Sequence, residues 1–263
     1  MSRFTPPIRR INSGRGHRYT DANGLTVPGV TTILKTLPKD ALINWAAETT
    51  AEAALNRWDE LAALPPADRL KVLKRARYDV LDTASNRGTQ VHKLAEKLIH
   101  GERVNIPDGL DGYVEAYVQF LDEWEVDPVL VEAVVFSHTY GWAGTLDLIA
   151  KLPELGVCLL DIKTSRSGIF GETALQLAGY RYADQYMTDD GPAEMLEADW
   201  TGAIHVTSVG YELIPLQVGE DQLRALRYVQ QVSQVVAELR DLVGEPLDPP
   251  RQSTWWLTQE ATA

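Results

Sequence analysis

The chain holds a single cysteine, Cys158, among its 263 residues. One cysteine excludes an intrachain disulfide and a cysteine-based metal site, and it suits a reducing compartment. Cys158 falls in an apolar stretch and reads as a small buried hydrophobe. Long hydrophobic runs are missing as well, since no stretch approaches the ~20 apolar residues of a membrane span. The opening Met1-Ser2-Arg3-Phe4-Thr5-Pro6-Pro7 has no apolar segment of the kind found in a secretory leader. These features predict a cytoplasmic chain with no membrane partner. The sequence has no Gly-x-x-x-x-Gly-Lys-Ser/Thr loop, so a built-in ATP-driven motor is excluded. It has no internal repeat, low-complexity tract or clear linker. Its length allows one large domain or two small ones.

Positive charge is in deficit. Lys and Arg number 25 against 37 Asp and Glu, for a formal net charge of -12. That argues against a general nucleic-acid coat protein. It leaves room for an enzyme whose acids hold a metal and whose cleft alone is basic. Two segments are locally basic. Residues 1–20 carry Arg3, Arg9, Arg10, Arg15 and Arg18 with no acid, and residues 69–77 read Arg-Leu-Lys-Val-Leu-Lys-Arg-Ala-Arg. Each is either a phosphate-tracking surface or a solvated arm or helix face.

The informative stretch is Ala143-Gly144-Thr145-Leu146-Asp147-Leu148-Ile149, followed by Leu159-Leu160-Asp161-Ile162-Lys163-Thr164. Both halves read as apolar strands, and Pro153-Glu154-Leu155-Gly156 between them reads as a turn. Asp161 and Lys163 are two apart and project from one face of their strand. Three ionisable groups in an apolar hairpin require either mutual salt bridges or a function, because burying an unpaired charge is costly. The chemistry they suit is phosphodiester hydrolysis. Mg²⁺ takes oxygen ligands, which Asp147, Asp161 and the Ile162 carbonyl can supply. A bound metal acidifies a water and shields phosphate charge. Lys163 would orient the nucleophile or neutralise the phosphate.

Around this hairpin the pattern predicts one α/β domain with a mixed sheet flanked by helices. Residues 17–20 and 25–27 should pair across Asn23-Gly24. Residues 30–34 fit a strand or a helix start. A helix capped by Asp40 should run to about residue 63, and a basic helix should cover residues 68–81. A separate helix, capped within Thr83-Ala84-Ser85, should span residues 86–100. The next helix, residues 110–124, carries Tyr113, Tyr117, Phe120 and Leu121 on one stripe that reads as core. Residues 129–136 precede the hairpin as the first strand of a meander. Further elements are a helix at 172–186, strands at 200–207 and 211–216, and a helix at 221–242. In the tail, Trp255-Trp256 reads as docked on the body.

Four separated pieces line up: Gly88-Thr89-Gln90-Val91-His92, Gly144-Thr145-Leu146-Asp147, Asp161-Ile162-Lys163 and Gln176-Leu177-Ala178-Gly179-Tyr180. In this order, on helix, strand, strand and helix, they resemble the RecB-type branch of the PD-(D/E)XK nuclease superfamily, in particular its stand-alone phage exonucleases. The resemblance covers residues 83–187 most closely and extends to about 217. It implies a restriction-endonuclease-like core at 83–217, with an N-terminal hairpin and helices at 1–82 and a C-terminal helix and tail at 218–263. It implies that His92 joins Asp147, Asp161 and the Ile162 carbonyl around Mg²⁺ or Mn²⁺, with Lys163 as the catalytic lysine. Gln176 and Tyr180, four apart on one helix face, would brace the lysine or hold the substrate strand. Glu132 would be a supporting acid. One imidazole with carboxylates suits Mn²⁺ as well as Mg²⁺. Some relatives carry an iron–sulfur cluster, which needs cysteines that this chain lacks. Gly144 would let a backbone or substrate strand approach Asp147.

The expected activity is that of a metal-dependent deoxyribonuclease, an exonuclease working from single- or double-stranded DNA ends in recombination, repair or phage DNA processing. A recombination or annealing protein, or a helicase, would be the partner. The alternatives are a catalytically silent DNA-binding or assembly module on the same fold, and a structure-specific or restriction-type endonuclease.

Overall fold

The computed structural model describes residues 5–13 and 16–247. Arg3, Arg15 and the Trp255-Trp256 pair lie outside the described residues. Three short strands, β1 (Arg9–Ser13), β2 (Gly16–Thr20) and β3 (Thr26–Val27), form a small antiparallel sheet. The expected turn joins β2 to β3, with Gly24 at φ 80°. Inside it the Asp21 carboxylate accepts the N–H groups of Asn23 and Leu25 at 2.9 and 2.8 Å. β1 departs from the arm expected of the basic N-terminus. Arg10 sits opposite Tyr19 in a regular ladder. Ile8, Tyr19 and Val27 then pack on Phe136 and Ala143 of the main body.

Residues 30–34 resolve as a helix, α1 (Val30–Leu34). The helix expected over 40–63 is two, α2 (Asp40–Asn56) and α3 (Trp58–Ala63), broken at Arg57 with φ -121° and ψ 26°. Asp40 is the first helical residue rather than the cap. The opposite correction applies next: residues 66–99 form one continuous helix, α4 (Pro66–Ile99). Thr83, in the segment expected to cap a new helix, donates its hydroxyl to the Asp79 carbonyl at 2.8 Å. A hydroxyl bonded back to the preceding turn satisfies itself without ending the helix. α5 (Asp111–Glu123) buries Tyr113, Tyr117 and Phe120, in agreement with the core reading of that stripe.

The main sheet is built from β4 (Asp127–Ser137), β5 (Trp142–Leu152), β6 (Gly156–Lys163), β7 (Gln185–Thr188), β8 (Gly191–Glu194), β9 (Trp200–Thr207) and β10 (Gly210–Pro215). Its order is β10-β9-β6-β5-β4-β7-β8, and only β6 and β9 pair in parallel. The fold is thus α/β with a mixed seven-stranded sheet. α6 (Glu172–Arg181) stops earlier than its expected end near 186. There the β4 edge captures the chain. Asp184 accepts the Thr139 N–H at 2.8 Å, and Tyr186 pairs with Val135. Local helix propensity loses to an open row of backbone partners. α7 (Glu220–Glu238) closes the described fold, followed by a 3₁₀ turn at Leu239–Leu242.

Helices cover both faces of the sheet. Leu159 packs in one core with Val30, Leu177 and Leu226 from α1, α6 and α7. Cys158, Leu160 and Ile162 pack in another with Val91, Tyr117 and Phe120 from α4 and α5. β6 therefore alternates cleanly, and Asp161 and Lys163 continue the Leu159 parity. No helix among the described residues is long and apolar enough to cross a membrane.

Candidate active site

The site begins where the β5–β6 ladder stops. Backbone pairing runs from Leu152 opposite Gly156 to Leu148 opposite Leu160. One residue further, the Asp147 side chain replaces the strand partner, its Oδ2 accepting the Ile162 N–H at 2.7 Å. On the other flank of β5, Glu132 of β4 falls opposite Asp147, between the pairs Val131–Leu148 and Ala133–Leu146. Three adjacent strands thus bring Glu132, Asp147 and Asp161 to neighbouring places. Glu132 holds φ at 50°, a left-handed conformation inside a strand. Such a backbone costs about 1–3 kcal/mol and persists only where surrounding structure enforces it.

α4 lays His92 over this row. Its Nδ1 lies 3.5 Å from Glu132 Oε1 and 3.6 Å from Asp147 Oδ1. Its Nε2 donates to the Ile162 carbonyl at 3.0 Å. Ligand atoms of His92, Glu132 and Asp147 all fall within 4.8 Å of one another, a group able to hold a metal ion. Its membership differs from the set expected from sequence. Glu132 joins it, the Ile162 carbonyl serves to orient His92, and Asp161 turns elsewhere. An imidazole whose second nitrogen bonds a backbone carbonyl is a common arrangement for a metal ligand.

Asp161 belongs to a second half of the same cleft. Only 1 % of its side chain is exposed, and its Oδ2 lies 2.5 Å from Lys163 Nζ. That oxygen is buried, and the Lys163 ammonium is its partner. Oδ1 accepts from Gln176 Nε2 at 2.8 Å. The same Gln176 nitrogen donates to Tyr180 Oη at 3.2 Å, and its Oε1 accepts from Lys163 Nζ at 3.4 Å. Gln176 and Tyr180 therefore brace the lysine and its carboxylate from α6. The Tyr180 ring occupies the space beside Gly144, where an added Cβ would come within 2.3 Å of the ring edge. The glycine thus admits a tyrosine, where sequence suggested a backbone or substrate strand.

Electrostatics follow from the crowding. Burial opposes a charged His92, yet Asp147 and Glu132 outweigh it and hold the imidazole's pKa at about 9. Burial raises the Asp147 carboxyl to about 6, with His92 pulling it down and Asp161 pushing it further up. Burial also opposes the Lys163 charge, but Asp161 and Asp147 prevail and raise its pKa. Burial lifts Tyr180 well above the usual phenol range, so it stays neutral. A buried acid pushed upward beside other charged groups, as Asp147 is, is a recurrent feature of functional sites.

The cleft encloses about 510 Å³, and every predicted site side chain except Ile162 lines it. Sequence reasoning missed its other wall. Arg10, Asn12, His17 and Tyr19 reach it from the small sheet, and Lys93 and Glu96 from α4. Arg10 Nη1 lies 3.4 Å from Glu132 Oε2. Tyr19 Oη shares a hydrogen bond of 2.9 Å with Thr145 Oγ1, which ties that wall to β5. The signal in the sequence was the basic run that includes Arg10, which gave no partner for it in the fold. The loop after Lys163 is pinned from two sides, by Arg87 on the Thr164 carbonyl at 3.3 Å and His205 on the Ser165 carbonyl at 2.8 Å. Part of the basic run on α4 is engaged within the fold. Arg69 donates to the carbonyls of Leu61, Ala62 and Leu64, and Arg75 pairs with Asp79 and Asp82.

Compared with known proteins, the chain matches no family model and no curated sequence.

Proposed function

We propose that the protein is a divalent-metal-dependent deoxyribonuclease that hydrolyses phosphodiester bonds from DNA ends, with a restriction-endonuclease-like core of the RecB-type PD-(D/E)XK kind. The observation that carries this reading is convergence. His92, Glu132, Asp147, Asp161 and Lys163, from one helix and three strands, line a single cleft. A salt-bridge network alone has no need of a strained Glu132.

The donor set fits Mg²⁺ or Mn²⁺. His92 Nδ1, Glu132 and Asp147 would hold the cation, with Asp161 held by Lys163 and Gln176 in the same cleft. When bound, it supplies an acidified water and shields phosphate charge. The chain's own residues do the rest. Asp147 holds the Ile162 N–H and so fixes the opening between β5 and β6. The Ile162 carbonyl orients His92. Asp161 keeps Lys163 charged and aimed into the cleft, where the ammonium can meet the developing charge on the phosphate. Gln176 holds both members of that pair, and Tyr180 holds Gln176. The exonuclease assignment, and a recombination protein, annealing protein or helicase as partner, rest on the family resemblance.

The test is digestion of end-labelled single- and double-stranded DNA and of covalently closed circles, with Mg²⁺, Mn²⁺ or EDTA. The expected result is metal-dependent shortening of linear DNA with circles spared. Cleavage of circles at a comparable rate would make the enzyme an endonuclease. Tight binding without any cleavage would favour a silent DNA-binding module instead.

A further inference from the structure

The Arg10–Glu132 contact joins the small sheet to the metal-ligand group. Glu132 is shared: Oε1 faces His92 at 3.5 Å, while Oε2 faces Arg10 at 3.4 Å. The ion pair is single and long, and the two side chains are 34 % and 22 % exposed. Such pairs contribute little and exchange readily. A divalent cation drawing on Glu132 would compete directly with the guanidinium. Once displaced, Arg10 would remain in the cleft, because its backbone is fixed. It pairs with Tyr19, and Tyr19 is tied to Thr145 and packed against Phe136 and Ala143. Asn12, His17, Thr89, Lys93 and Glu96 line the same cleft, a polar wall of mixed charge. A planar guanidinium beside neutral donors suits the paired oxygens of a phosphodiester.

We propose that Arg10 is a phosphate-positioning residue gated by the metal: it pairs with Glu132 while the site is unloaded and turns to a substrate phosphate once a divalent cation takes Glu132. This rests on the nuclease reading above and adds a rule to it, that metal and nucleic acid bind cooperatively through one exchangeable ion pair. By linkage, each ligand then strengthens the other's binding by the same factor.

The test uses the full chain carrying Lys163→Ala, so that turnover does not consume the probe. Binding of a fluorescein-labelled DNA oligonucleotide is followed by anisotropy in EDTA and in Mn²⁺, over a range of salt. Mn²⁺ affinity is measured separately by calorimetry without DNA. With Arg10→Gln added, DNA affinity in Mn²⁺ should fall about tenfold and the salt slope should drop by roughly 0.7–0.9, as for one lost phosphate contact. In EDTA both should hardly change. Mn²⁺ binding alone should tighten, because a competitor for Glu132 is gone. Arg10→Lys should restore part of the DNA affinity. Glu132→Gln should do the reverse of Arg10→Gln, weakening Mn²⁺ while strengthening metal-free DNA binding. Equal losses in EDTA and Mn²⁺, or looser Mn²⁺ binding in Arg10→Gln, would overturn the gate and leave a plain structural or phosphate contact. No loss in either condition would overturn it as well, while the nuclease reading would stand if the wild-type chain cuts DNA. Mn²⁺ binding with no DNA binding by the Lys163→Ala chain, and no cleavage by wild type, would overturn both.

Discussion

In the central sheet, Leu146, Leu148, Ile149, Leu159 and Leu160 are fully buried, whereas α2 buries none of its seventeen residues. Leu42 and Ile43 of α2 are 46 % and 69 % exposed, and Leu55 is 73 % exposed. Both segments have apolar residues at the right period for their structure. The difference lies in what covers them. The sheet has helices on both faces, while α2 rests chiefly on α4. Two-sided cover is also what lets the sheet hold Asp161 and Lys163 in place, since a buried charge survives only where every neighbour is fixed. The helical arm has no such grip and is the region expected to open first.

The comparison can be broken most directly at the charged row. Lys163→Ala should lower DNA cleavage by about two to three orders of magnitude, the usual loss for one transition-state donor, in an end-label assay. Ile43→Ala in the arm should leave the rate unchanged. If both variants cleave alike, the buried row has no special role. On stability the contrast is nearly as sharp. Phe120→Ala, fully buried in α5, should cost about 3–5 kcal/mol in denaturant unfolding. Ile43→Ala should stay within about 0.5 kcal/mol. A large loss at Ile43 would mean that α2 is covered in solution.

Gly144→Ala sharpens the picture inside the cleft. The new methyl meets the Tyr180 ring, and overpacking of this kind costs about 1–3 kcal/mol. The displaced tyrosine should also loosen Gln176, so activity should fall along with the melting temperature. Unchanged activity would show that the α6 brace is dispensable.

The smallest effect is expected in the small sheet and depends on pH. Burial opposes the Asp21 charge, but the N–H groups of Thr5, Leu25 and Asn23 outweigh it and lower its pKa below the usual carboxylate value. A carboxyl depressed on folding stabilises the native form above its unfolded pKa, and that contribution fades as pH falls through the folded pKa. Protection of β2 and β3 amides, taken relative to the intrinsic exchange rate at each pH, should therefore be lower below about pH 4 than at pH 6, ahead of that of β5 and β6. Simultaneous loosening of both regions would show that the hairpin has no acid-sensitive clasp of its own.

Much of this was legible in the chain. The β5–β6 hairpin, with its turn at Pro153-Glu154-Leu155-Gly156, the Tyr113–Tyr117–Phe120 core stripe and the strand pair after residue 200 all follow from local periodicity. So does the shared parity of Asp161 and Lys163, because alternate strand residues face one way whatever lies around them. The helix breaks were less legible. Thr83-Ala84-Ser85 has the composition of a cap, yet its hydroxyl finds a partner within α4. Gln185 and Tyr186 lie where a helix was expected to continue, yet β4 offers them a ladder. In each case a nonlocal or alternative hydrogen bond decided between conformations of similar local energy.

Local order along the chain thus determined which residues carry the charge, and on which strand face each of them stands. Only the tertiary structure decided how those charges are shared: Glu132 and Asp147 at one nitrogen of His92 and the Ile162 carbonyl at the other, Asp161 committed to Lys163, and Arg10 brought from a remote strand to the Glu132 carboxylate. The reason is physical. Alternation and helical period act over a few residues, whereas the partner of a buried charge is set by which distant elements pack within a few ångströms of it.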